Sequence, residues 1–129
     1  MAQPRNVMKN LRVKDYIKVD SGVQEPYVEY TATATNIVNS GLVSVNHATV
    51  PVVISIPAPG SAGKSLIVTD NSASGTAAHV VTFTGSTVNA TGNNTATFDA
   101  PLEQLILYSV SATEWLIVLN SGSVGLSTV

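Results

Sequence analysis

From Tyr27 onward the chain is a succession of short apolar, β-branched runs, each closed by Gly, Asn, Ser or Pro before it outgrows a strand. The runs are "YVEYTATAT", "GLVSVNH", "VPVVISI", "SLIVTD", "HVVTFTG", "STVNA", "TATFDA", "QLILYSV" and "EWLIVLN". Turn-rich segments such as "NSASGTAA", "GNN", "APLE" and "SAT" separate them. Val, Ile, Thr and Tyr lose side-chain freedom in a helix and suit a pleated, half-buried surface. "LEQLILYS" has the most helical look, and Ile106, Tyr108 and Val110 turn it toward strand. About nine short strands at this spacing predict an all-β sandwich or barrel, read here as a single β-sandwich or jelly-roll-like domain. Pro51 places "VPVVISI" at a sheet edge or a strand start.

A chain of 129 residues fits one domain with a real core. Only 11% of residues are charged and 44% are apolar, which excludes a disordered chain of the highly charged kind. No apolar run approaches the ~18 residues of a membrane-spanning helix. The N-terminal "MAQPRNVMKNLRVKDYIK" lacks the apolar segment of a secretory signal. Without Cys there is no disulfide framework and no thiolate chemistry.

Charge divides the chain. Residues 1–20 carry Arg5, Lys9, Arg12, Lys14 and Lys18 against Asp15 and Asp20, five basic against two acidic, a net of +3. The remainder carries Lys64 against Glu25, Glu29, Asp70, Asp99, Glu103 and Glu114, one against six, a net of −5. Residues 1–26 therefore read as an extended basic arm, with Val7, Leu11, Val13, Ile17 and Val19 as apolar positions in no sustained period. Residues 27–120 read as the β-domain and 121–129, "SGSVGLSTV", as a small-residue tail. An arm of one sign on a body of the other is built to dock. No aromatic series accompanies the basic residues, so protein contact is favoured over nucleic acid.

Motifs for chemistry fail on context. "APGSAGKS", Ala58 to Ser65, fits a loose phosphate-binding loop, which needs a helix starting at Gly-Lys-Ser. The following Leu66, Ile67, Val68 and Thr69 favour a strand, so the segment reads as a loop between strands with Lys64 at its edge. His47 and His79 lack further ligands at metal spacing, and His79 reads as a hydrogen-bonded structural residue at a strand start. A Ser–His–Asp set can be drawn from His79, Asp70 and any of many serines, but no "GxSxG" elbow is present. Asp99, Glu103 and Glu114 lie beside turns, where carboxylates cap and accept. Asn89-Ala90-Thr91 and Asn93-Asn94-Thr95 match the glycosylation pattern and read as an Asn/Gly/Thr turn. Tyr108 with Trp115 forms an alternative glycan-stacking platform, against which stands the use of a lone Trp as a core anchor. No catalytic residue, metal ligand or cofactor site is expected. Ser and Thr on the strands, where a monomer would place Lys and Glu, suit packing against other subunits.

Between Thr31 and Leu119 the order "IPAPG", "GKSLIVTD", "HVVTFTG", an Asn/Gly turn, "TATFDAPLEQLILYS" and "EWLIV" resembles a β-module of bacteriophage fibre and virion-surface proteins. The matching features are the Gly63-Lys64 opening, Asp70 ending its strand, the Asn89–Asn94 turn, and the Leu105–Tyr108 strand followed by Trp115. The resemblance implies a homotrimer on a virion surface, with no enzymatic role. The start at Met1 and the lack of shaft repeats look more like a capsid decoration (cement) or head-fibre protein than a tail fibre. Its implied partners are its own copies and the major capsid protein, with no nucleic acid and no membrane. Arg5, Val7, Lys9, Leu11, Arg12, Val13, Lys14 and Ile17 would form the capsid-binding arm. The alternative implied is a tail-fibre or receptor- and glycan-binding module.

Overall fold

The computed structural model describes residues 25–73, 75 and 77–129. These form ten strands and no helix. In chain order they are β1 (Tyr27–Tyr30), β2 (Gly41–Val45), β3 (Val53–Pro57), β4 (Ser65–Asp70), β5 (His79–Thr84), β6 (Thr87–Val88), β7 (Thr95–Phe98), β8 (Gln104–Ser109), β9 (Glu114–Ser121) and β10 (Gly125–Ser127). A six-stranded sheet runs β1-β2-β4-β8-β9-β6, and a four-stranded sheet runs β10-β7-β5-β3. The expected all-β sandwich is present.

From β2 to β7 the chain changes sheet at every step. Strands two apart in sequence thus become neighbours running the same way: β2 pairs β4 and β3 pairs β5, both parallel. β1 with β2 and β6 with β9 are also parallel, while β4–β8, β8–β9, β5–β7 and β7–β10 are antiparallel. A jelly roll is an antiparallel architecture. These mixed sheets do not match that part of the expectation.

The core lies between the sheets. Val43, Val45, Leu66, Val68, Leu105, Leu107 and Trp115 come from the large sheet, and Ile54, Ile56, Val81, Phe83, Ala96 and Phe98 from the small one. Alternation is cleanest in β4, where Leu66, Val68 and Asp70 are buried and Ser65, Ile67 and Thr69 are half-buried. Period two is what a strand with one face on a core must show. The segment 121–129, expected as a tail, belongs to the sandwich. Val124 is buried, and Gly125 to Ser127 pair with β7. Val124 and the half-buried Leu126 pack on the core, which suffices for a strand that only has to close an edge.

Two glycines fix junctions. Gly41 has φ +90°, and a Cβ there would strike the Pro26 carbonyl, which accepts the Leu42 N–H at 2.7 Å. That close approach seats β1 beside β2. Gly122 has φ +90°, and a Cβ there would lie 2.7 Å from Glu103 Cγ. Only glycine tolerates both the positive φ and the contact.

Candidate functional site

The loop "APGSAGKS" joins β3 to β4, and a strand, not a helix, starts at Ser65. Lys64 is half-buried. Its Nζ donates to Asn39 Oδ1 at 3.1 Å, and its backbone N–H donates to Ser109 Oγ at 2.8 Å. The ammonium serves as a clamp between the segment before β2 and the start of β4. No helix N-terminus is at hand to cradle phosphates.

His79, Asp70 and Ser72 do come together, and all three are buried. The arrangement is not a catalytic triad. His79 Nδ1 accepts the Val52 backbone N–H at 2.9 Å, so in the neutral ring the proton sits on Nε2. Nε2 faces Ser72 Oγ at 3.2 Å, and Asp70 Oδ1 stands 3.7 Å from the same nitrogen. A triad needs the carboxylate on one ring nitrogen and the hydroxyl on the other, with a free lone pair toward the hydroxyl. Here Nε2–H donates to Ser72 Oγ. The hydroxyl also accepts the His47 N–H at 3.1 Å and donates to the His47 carbonyl at 3.3 Å. Asp70 Oδ1 accepts the Ser72 N–H at 2.9 Å, closing the turn after β4. These bonds tie the ends of β2, β4 and β5 together, and His79 is the structural histidine that its strand-start position predicted.

Glu103 is likewise internal. Its Oε2 accepts the N–H groups of Asp99 and Ala100 at 2.7 and 3.2 Å, capping the turn before β8. Asp99 is exposed and Glu114 half-buried on β9. Of the three carboxylates, Glu103 is the turn acceptor. Asn89, with φ +55°, accepts the Ile117 N–H on its Oδ1 at 2.7 Å, so this sequon residue holds the turn between β6 and β7. Among the described residues no group of three His, Cys, Asp or Glu is placed to hold a metal ion.

Tyr108 and Trp115 do not form a stacking platform. Trp115 is 0% exposed in the core, whereas Tyr108 is 46% exposed. Ser109, not Tyr108, is the cross-strand partner of Trp115, so the two rings leave opposite faces of the sheet. The arm residues Arg5, Val7, Lys9, Leu11, Arg12, Val13, Lys14 and Ile17 lie outside the described residues.

The surface that remains distinctive is the outer face of the large sheet. The registers put Tyr27, Leu42, Ile67, Ile106 and Leu119 in one row across β1, β2, β4, β8 and β9. A second row, Glu29, Ser44, Thr69, Gln104 and Ser121, is polar. On the other side of the apolar row, Tyr108 pairs with Leu116, both exposed. The small sheet differs: one outward row is Ser55, Thr82, Thr95 and Ser127, and the next is Val53, Val80, Thr97 and Gly125. Sequence reading missed the apolar row. The signal was present in "SLIVT", "QLILYS" and "EWLIVL", where apolar residues fill the positions that a one-sided strand gives to polar ones.

No protein-family model matches the chain, and no curated protein matches it. Among the described residues no helix is long and apolar enough to cross a membrane.

Proposed function

We propose that this protein is a structural component of a bacteriophage virion: a homotrimeric capsid decoration or cement module. In this reading it binds the outer capsid surface through its N-terminal arm and reinforces the shell, without enzymatic activity. The observation that carries the reading is the placement of positive charge. Every Lys and Arg except Lys64 lies in residues 1–18, and Lys64 is bonded to Asn39. The sandwich therefore offers an acidic partner one half-buried, hydrogen-bonded ammonium, and the arm offers five cations and several apolar side chains. Complementary charge steers docking and weakens as salt rises. The groups with chemical potential in the sandwich, His79, Asp70, Ser72 and Glu103, are buried and bonded within its own framework. Burial of Trp115 takes away the glycan platform on which the fibre-tip alternative rested.

An electron cryo-microscopy map of the source particle tests the proposal. The expected result is a three-fold group of β-sandwiches on the capsid exterior with residues 1–24 running into the shell. Density for the sandwich on the tail alone would refute it.

A further inference from the structure

We infer that the outer face of the six-stranded sheet, centred on Leu42, Ile67 and Ile106, is the surface through which copies of this chain meet. The inference rests on the trimeric part of the proposal above and names its interface. Four inter-strand steps carry the row from Tyr27 to Leu119, about 19 Å at ~4.8 Å each. Tyr108 and Leu116 lie in the next outward-facing row, about 7 Å away. With side chains reaching a few ångströms beyond the outer rows and strands, the patch is on the order of 300 Å², within the range of the largest, often functional, apolar patch of a soluble monomer. A stable interface covers about 800 Å² on each partner. The adjoining polar row supplies the hydrogen-bonding rim through Thr69, Gln104 and Ser121.

Charge selects the occupant. Neither row, nor the Tyr108–Leu116 pair, contains a Lys or Arg. Glu29 and Glu114 stand at opposite corners of the face, and its middle is uncharged. A nucleic acid or an acidic protein finds no counter-charge there. Near a rotation axis each residue meets its own counterparts, so a charge would face the same charge. A neutral centre with acids at the margin avoids that repulsion. On the small sheet the outward apolar side chains Val53, Val80 and Pro57 are divided by the Ser55–Thr82 hydroxyl row, so no continuous apolar row crosses it.

The test is light scattering on the full-length protein and on Ile106→Lys, with Leu119→Lys as a second row variant. Leu119 is 44% exposed in the single chain, so this variant covers the case in which Ile106→Lys does not fold. Val53→Lys, at an exposed apolar position on the small sheet, is the control. The wild-type chain and the control should form the same oligomer. The row variants should keep their circular dichroism and lose affinity for other copies by at least about 100-fold, the scale of a charge forced into an interface centre. An oligomer unchanged in both row variants overturns the inference and leaves capsid decoration standing. Row-dependent oligomers that fail to bind undecorated capsids do the reverse. A wild-type chain that is monomeric throughout, and whose residues 1–24 become protease-sensitive only in Ile106→Lys, assigns the face to the chain's own arm and also overturns it.

Discussion

Val52 donates its backbone N–H to Nδ1 of His79 at 2.9 Å, joining the lead into β3 to the first residue of β5 inside the core. The bond sets the tautomer: Nδ1 is the acceptor and Nε2 carries the proton toward Ser72. Nitrogen NMR of the imidazole should show a pyridine-like Nδ1 and a protonated Nε2. His79→Ala would leave the Val52 N–H unpaired and open a cavity, at a cost of about 3 kcal/mol in urea unfolding. His79→Asn, whose Oδ1 can stand in for Nδ1, should cost about half as much. A proton on Nδ1, or an Ala variant as stable as wild type, contradicts this account of the network.

Trp115 is sealed in the core, and its Nε1 has no hydrogen-bond partner. Trp115→Phe therefore removes volume without breaking a bond and should cost about 1–2 kcal/mol, against about 3–5 for Trp115→Ala. Its fluorescence should be blue-shifted, protected from iodide and unchanged by added saccharides. Iodide quenching, or a shift on adding sugar, would restore the stacking platform.

How much of this was legible in the sequence depended on range. β4 and β5 could be read because "SLIVTD" and "HVVTFTG" end in residues that stop strands, and the strand after Lys64 disposed of the phosphate loop. A set of His79, Asp70 and any of many serines was drawn and set aside, because no one serine stands out until the segment between β4 and β5 brings Ser72 to the ring. The parallel pairing was hidden for a different reason. It follows from the chain changing sheet at each step, and alternation within a strand does not report which sheet the strand joins. The apolar row was masked by continuous runs such as "WLIVL", in which period two cannot be seen when both faces are apolar. β10 was missed because Gly125, Leu126 and Ser127 have little strand propensity of their own and are held by β7.

Lys64 holds Asn39 through a half-buried hydrogen bond. Lys64→Ala should lower stability by about 1 kcal/mol and leave oligomeric state unchanged. Calorimetry with ATP or GTP and magnesium should give no heat of binding for either form. Micromolar nucleotide affinity that disappears in Lys64→Ala would reverse the reading of the loop.

Gly122 packs on Glu103, whose carboxylate caps the Asp99–Ala100 turn. Gly122→Ala combines an unfavourable φ of +90° with a contact that Glu103 must yield to, so a loss of about 2–3 kcal/mol is expected. In a double-mutant cycle, Glu103→Ala should lower the cost of Gly122→Ala, since it removes the crowded Cγ. Strict additivity would show that the two residues do not press on each other.

Capsid attachment through the arm is the core of the proposed function. Its most direct test is co-sedimentation with undecorated capsids of the source particle at low and high salt. Wild-type protein is compared with a full-length variant in which Arg5, Lys9, Arg12, Lys14 and Lys18 are changed to Gln. The wild type should bind in a salt-sensitive way, and the variant should lose binding with its circular dichroism intact. Equal binding by both, unaffected by salt, would contradict attachment through the arm and place the contact surface on the sandwich.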